Sequence, residues 1–371
     1  MPRYLTKSRF VLAVECATKL YYTGKAEYAD HKKDDPFLSA LAEGGFQVGE
    51  LAKLYFPGGH EIETLDHDQA LEQSRKLLER DSVTLYEAAI RQGSLFIRAD
   101  ILIKNGSALE LIEVKSKSFR GRGPGDMLNQ DGTIKRNWVP YLYDVAFQKH
   151  LLSLAFPEME VRSYLLLADR NARATVDGLN QRFLIYKENG RARVRVREGT
   201  TREALGEPIL VQVPVDEPVQ SIYEGSDGLS RNLPFAEWVE FLAASYRQDR
   251  KIRTELGSKC KKCEFRCTAE EESAGLKSGF KECWREQAGL RDADFSEALV
   301  IDMWNSRQTD GFIAQGIYFL RDLDPQLLQP KSRGGCGNGA GEKSGLSQSE
   351  RQRLQVEKAR GGDPHPYLDA E

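Results

Sequence analysis

Long apolar runs are missing from this chain of 371 residues. None approaches the roughly 18 consecutive apolar residues that a membrane-crossing helix needs. The stretch MPRYLTKSRF at the start also lacks the apolar core of a signal peptide. The expectation is a soluble globular protein of the cytoplasm with no membrane partner. A strong charge of one sign is missing too. The formal net charge is −3, so the total gives no sign of a nucleic-acid partner. Basic residues gather locally instead, in RARVRVREGTTR (191–202) and RQDRKIRTELGSKCKKCEFR (247–266), and local patches rather than totals make a phosphate track. Taken alone, each run reads as a solvated face. Histidine is scarce, and the five at 31, 60, 67, 150 and 365 show no metal or nucleophile spacing. Internal repeats are absent.

What is present begins with LFIRADILIKNGSALELIEVKSK (95–117), two apolar strands around an Asn-Gly turn that nevertheless carry Asp100, Glu113 and Lys115. A buried charge is costly unless it is paired or binds a metal. A two-residue primed turn at Asn105-Gly106 sets Lys104 opposite Ser107 and Asp100 opposite Leu111. Asp100 then lies diagonal to Glu113, and Asp100, Glu113 and Lys115 share one side. The other positions of the second strand are apolar on both faces, as in a strand covered on both sides.

Helical spacing recurs at 6–22, 35–56, 66–81 and 139–156, and strands are expected at 83–90 and 161–169 beside the hairpin. A further hairpin is expected at 182–198. A strand, helix, strand order after an antiparallel hairpin predicts a mixed sheet flanked by helices, an α/β fold. The Gly-rich loop 119–137 is long enough to be functional. Three regions follow: a core at 1–232, a mostly helical cysteine-bearing region at 233–329, and a Gly/Ser linker with a short helical tail at 330–371, a possible point of truncation. GNGAGEKSG (337–345) looks like a phosphate loop, but Glu342 stands where glycine is required before Lys343, and no strand precedes it.

Asp100 followed by Glu113-Val114-Lys115 resembles the active-site core of the PD-(D/E)XK nucleases, and the surrounding motifs resemble their RecB-like branch. The resemblance covers about residues 5–290. It implies a restriction-endonuclease-like fold and a Mg²⁺- or Mn²⁺-dependent nuclease acting on DNA, as an exonuclease and on single strands ahead of duplex, with RNA also open. By the same resemblance Asp100, Glu113 and the Val114 carbonyl are metal ligands, and Lys115 orients or deprotonates the attacking water. The upstream helix offers Glu50, or alternatively Glu43, as a further ligand; the two are seven residues apart on one face. Gly49 falls where many members have His. Downstream, Gln148 fits the family's glutamine, while Leu152 replaces the tyrosine four residues later. Asp144 and Gln148 share a helix face.

Cysteine is sparse, with six residues at 16, 260, 263, 267, 283 and 336. In an intracellular chain such a set points to metal before disulfides. Cys260, Cys263, Cys267 and Cys283 could alone make a zinc site. RecB-type nucleases with an iron–sulfur cluster, among them AddB and CRISPR-associated exonucleases, join one N-terminal cysteine to three C-terminal ones. This sequence resembles them in that layout. The resemblance implies a [4Fe-4S] cluster on Cys16, Cys260, Cys263 and Cys283, with Cys267 the alternative fourth ligand and Cys336 a lone thiol. Two rivals to the nuclease are a nucleic-acid-binding module with a degenerate nuclease site and a zinc-stapled interaction protein.

Overall fold

The structure is a computed structural model and describes residues 3–32, 36–121, 123–188, 191–328 and 346–363. The chain divides into two compact units, the first of residues 1–21 with 34–252 and the second of 22–33 with 253–371. In chain order the first unit holds β1 (Leu5–Thr6), α1 (Lys7–Glu15), the start of α2 (Lys19–Tyr22), α3 (Pro36–Tyr55), β2 (His60–Glu61), α4 (His67–Leu78), β3 (Ser82–Gln92), β4 (Leu95–Asn105) and β5 (Ala108–Phe119). It continues with α5 (Val139–Ala155), β6 (Glu160–Asp169), β7 (Phe183–Glu188), β8 (Arg191–Val196), β9 (Leu210–Pro214), α6 (Asp216–Glu224) and α7 (Phe235–Arg247).

Seven strands form one sheet in the order β2-β3-β4-β5-β6-β9, with β1 pairing β4 off that path. The pairs β1/β4, β2/β3 and β5/β6 are parallel, whereas β3/β4, β4/β5 and β6/β9 are antiparallel, so the sheet is mixed, as expected. Alternate positions of β4 and β5 point to opposite faces of the sheet, and each face has its own core. Leu102, Leu109 and Leu111 enter one core with Phe10 of α1, Phe147 and Leu151 of α5, and Val239 of α7. Ile101 and Ile112 enter a second core, which also holds Leu51 and Ala52 of α3. Each such large apolar side chain contributes about 1.5–3 kcal/mol when fully buried.

The turn between β4 and β5 differs from expectation. Asn105 pairs with Ala108, which makes Gly106 and Ser107 the turn residues. Gly106 has φ 57°, as a primed turn with glycine first requires. Lys104 therefore faces Leu109 rather than Ser107. The step after Ile101–Ile112 then sets Asp100 across from Glu113, not Leu111. The two registers differ by two residues, so the shared face is kept.

The helix expected over 6–22 is broken. Cys16 ends α1 in extended backbone, φ −162° and ψ 110°, before α2 resumes at Lys19. The first unit runs on to residue 252, past the boundary expected at 232/233, and Phe235, Val239, Leu242 and Tyr246 of α7 belong to its core.

In the second unit, α8 (Ala269–Ser273), α9 (Gly279–Ala288), α10 (Thr309–Ala314) and α11 (Gln348–Arg360) alternate with short 3₁₀ turns. Phe280 and Trp284 of α9 pack with Leu290, Leu299 and Ile301. Val356 and Ala359 of α11 pack with Val300, Met303 and Phe312, so the expected helical tail joins this unit's core. Most of the expected linker, with Cys336 and the phosphate-loop lookalike, lies outside the described residues. Among the described residues no helix is long and apolar enough to cross a membrane.

Candidate active site

The site forms where the regular ladder of β4 gives way. Backbone pairing with β5 runs only as far as Ile101–Ile112. Beyond it, the Val114 N–H donates to Asp100 Oδ2 at 2.9 Å, so a side chain takes the place of a main-chain acceptor. On the other side β3 is distorted at the same level. Glu87, between the Tyr86–Ile101 and Ala88–Ala99 pairs, has φ 56°. A glutamate in that region within a strand is strained by about 1–3 kcal/mol, and such strain clusters at functional sites. Glu87, Asp100 and Glu113 thus follow one another across three adjacent strands.

Glu113 is fully buried. Its carboxylate accepts from Lys115 Nζ of its own strand, from Gln148 Nε2 of α5 at 2.8 Å, and from Lys7 Nζ of α1 at 3.0 Å to each oxygen. Lys7 Nζ also donates to Asp100 Oδ1 at 2.8 Å. Lys115 reaches Asp144 Oδ2 at 2.9 Å, and Gln148 Nε2 reaches Asp144 Oδ1 at 3.0 Å. Three carboxylates and two ammoniums make one lattice. Gln148 is fully buried, yet its Oε1 has no hydrogen-bond partner among the described residues.

The electrostatics follow from burial set against these partners. Burial opposes the ionisation of Glu113, but the charges of Lys115 and Lys7 and the Gln148 amide outweigh it and hold its carboxyl well below the usual range. Burial, then the charge of Glu113, raises Asp100 against the pull of Lys7 and Lys115. Asp144 is pushed up to about 6 by burial and by Glu113, against Lys115. Burial would lower both lysines, yet Asp100 and Glu113 raise Lys7, and Glu113 and Asp144 raise Lys115. Glu87 is raised by burial and by the charge of Asp100, and its Oε2 lies 3.4 Å from Arg98 Nε.

Of the residues expected at the site, Asp100, Glu113, Val114, Lys115, Asp144 and Gln148 are gathered here. Glu50 Oε1 accepts from Lys53 Nζ at 2.6 Å on α3. Neither Glu50 nor Glu43 bonds to the lattice among the described residues. Lys7 and Glu87 were not expected from the sequence. Lys7 lies 93 and 106 positions from its two partners, and no local pattern announces such a contact. For Glu87 the signal was present, a charge inside the apolar strand VTLYEAAI.

Among the described residues no group of three or more His, Cys, Asp and Glu side chains is gathered so as to hold a metal ion. Cys16, at the end of α1, belongs to the first unit. In the second, Cys260 lies in the 3₁₀ turn Ser258–Lys262 and Cys263 directly follows it, with its N–H bonded to the Cys260 carbonyl at 3.2 Å. Cys283 is on α9, 3.4 Å from the Tyr22 hydroxyl. Cys267 Sγ donates to the Leu276 carbonyl at 3.7 Å, and burial pushes its thiol up.

Comparisons with protein-family models, with curated proteins and with solved structures return no match to the chain.

Proposed function

We propose that the chain is a metal-dependent nuclease of the RecB type that hydrolyses DNA phosphodiesters. One observation carries this reading: Asp100 and Glu113, from adjacent strands, converge on a single cation position held by the Lys7 ammonium, with Lys115 bonded to Glu113. Two carboxylates suffice for Mg²⁺ or Mn²⁺, which take their remaining ligands from water and substrate phosphate. The unpartnered Oε1 of Gln148 fits a hydrated ion, since it can accept a hydrogen bond from coordinated water.

In this reading Asp100, Glu113 and the Val114 carbonyl would hold the divalent ion, at the position that the Lys7 ammonium takes in its absence. The bound ion supplies charge neutralisation at the phosphoryl group and a lowered water pKa. Lys115 stays on the site because Glu113 and Asp144 grip it, and from there it orients the attacking water and faces the phosphate. Gln148 fixes Glu113 and Asp144 in turn. An iron–sulfur cluster on Cys16, Cys260, Cys263 and Cys283, with Cys267 the alternative fourth ligand, completes the proposal.

A second reading has one observation in its favour. Lys7 already satisfies both carboxylates, as a closed lattice in a nucleic-acid-binding module without turnover would. Labelled single- and double-stranded DNA with Mg²⁺ or Mn²⁺ separates the two. Wild type should cleave, whereas Asp100→Ala and Glu113→Ala should lose at least about a hundredfold in rate, the loss typical of removing one transition-state donor. Both should still bind DNA, because grip on phosphate comes from Lys and Arg. Cleavage by Glu113→Ala at the wild-type rate would reject the site, and no cleavage by wild type under any metal would favour the binding module.

A further inference from the structure

The second distinctive surface of the first unit is the two-stranded ribbon β7–β8, which pairs from Phe183–Val196 to Glu188–Arg191 and stands outside the seven-stranded sheet. Its inner side is anchored. Phe183, Val194 and Val196 pack with Leu51 and Ala52 of α3, and Gln47 Nε2 donates to the Phe183 carbonyl at 2.7 Å. Its outer side presents Arg193 and Arg195 of β8, with Arg197 just beyond, all exposed. Opposite Arg193 and Arg195 lie Tyr186 and Leu184.

Nothing in folding calls for this row. Like charges at alternate positions on one face repel, and among the described residues only Arg193 of the three has an acidic partner, Glu188 at 2.8 Å. Among the described residues neither Arg195 nor Arg197 has a carboxylate within ion-pair distance. Arg195 lies instead over the Tyr186 ring, 4.9 Å from its centroid. Leu184 remains 50% exposed beside it.

We infer that this face binds the sugar–phosphate backbone of single-stranded DNA. Alternate residues on a strand stand about 6.6 Å apart, a step commensurate with successive phosphates along a nucleic-acid strand. Guanidinium groups bind phosphate through paired N–H donors. Tyr186 and Leu184 lie beside the row as a stacking surface, which is useful only against unpaired bases. The inference rests on the nuclease reading for the choice of nucleic acid as ligand; the ribbon geometry is independent of it.

The test measures binding to a fluorescein-labelled single-stranded oligodeoxynucleotide, without divalent metal, over a range of salt. The proteins are full-length Glu113→Ala and the same chain carrying Arg193→Gln, Arg195→Gln and Arg197→Gln. The triple replacement should weaken binding by about tenfold or more and reduce the slope of log K against log salt by about 2, three phosphate contacts at about 0.7 each. Arg75→Gln with Lys76→Gln on α4, an equally exposed basic pair, should leave binding unchanged. Should the triple variant melt early, the single Arg195→Glu replacement must show the same direction. Unchanged affinity and slope in the ribbon variants would overturn the inference. So would equal loss in the α4 control, or equal binding to duplex with the same dependence on the arginines. Ribbon-dependent binding by a wild type that never cleaves would keep the inference and remove the nuclease reading. Cleavage by wild type with ribbon-independent binding would do the reverse.

Discussion

Lys7 is the residue whose placement is hardest to explain by local structure. It is the first residue of α1, behind the Thr6 cap. A cation there faces the positive end of the helix dipole, at a cost of about 0.3–1 kcal/mol. Asp100 and Glu113 offset that cost, so the lysine serves the carboxylates and not the helix. Replacing it by methionine leaves Asp100 and Glu113 facing each other with one ammonium fewer. Removal of one partner from a buried ion lattice typically costs about 3–5 kcal/mol. Without divalent metal, Lys7→Met should therefore melt well below wild type. Mn²⁺ no longer competes with an ammonium in the variant, so it should bind about tenfold more tightly, equivalent to about 1.4 kcal/mol, and restore much of the lost melting temperature. Calorimetric titration and thermal melts with and without Mn²⁺ measure both. Equal Mn²⁺ affinity in the two proteins would mean that ion and lysine do not share a position.

At the scale of elements, the legible parts were those whose pattern is local. Short apolar runs marked β3, β4, β5 and β6, and helical spacing marked α3, α4 and α5. The register of β4 against β5 was less legible, because Asn105-Gly106-Ser107 accommodates a primed turn with glycine either second or first. The shared face survived, since the two registers differ by two residues. The two-residue strands β1 and β2 carry no period at all, and β1 is what brings Lys7 beside β4. Helix α5 illustrates a division of labour along one element. It sends Asp144 and Gln148 to the lattice and His150 toward the ring of Phe235 on α7, with centroids 5.7 Å apart. Burial lowers the pKa of His150, and Glu240 of α7 opposes this only partly. A histidine held neutral in the folded state contributes stability that is full above its unfolded value, about 6.5. That contribution is lost as pH falls through the lower folded value. Wild type should thus lose melting temperature between about pH 7.5 and about pH 5 more steeply than His150→Phe, which keeps a ring against Phe235 and Tyr223. Parallel curves for the two proteins would show that other groups set the acid limb.

At the scale of the whole chain, the cysteines remain the feature that sequence pattern raised and local geometry only partly constrains. Cys260 and Cys263 are brought together by a 3₁₀ turn, as a C-x-x-C spacing allows. Cys283 was already offered by the cysteine pattern as a metal ligand beside them, whereas Cys16 is far from all of them in sequence and was legible only through resemblance. If Cys16, Cys260, Cys263 and Cys283 ligate one cluster, its binding energy adds to folding, because the unfolded chain does not hold those thiolates together. Anaerobically purified wild type should then be coloured, with broad absorbance from its iron–sulfur charge transfer. Each of Cys16→Ser, Cys260→Ser, Cys263→Ser and Cys283→Ser should purify pale, melt lower and lose cleavage through partial unfolding. Cys267→Ser should keep its colour if Cys283 is the fourth ligand, and Cys336→Ser should match wild type. Iron and zinc analysis beside the absorbance decides among the alternatives. A pale Cys267→Ser with a coloured Cys283→Ser would move the fourth ligand to Cys267. A colourless wild type with stoichiometric zinc would replace the cluster by a four-thiolate zinc site on Cys260, Cys263, Cys267 and Cys283 and leave Cys16 as a small side chain at the end of α1.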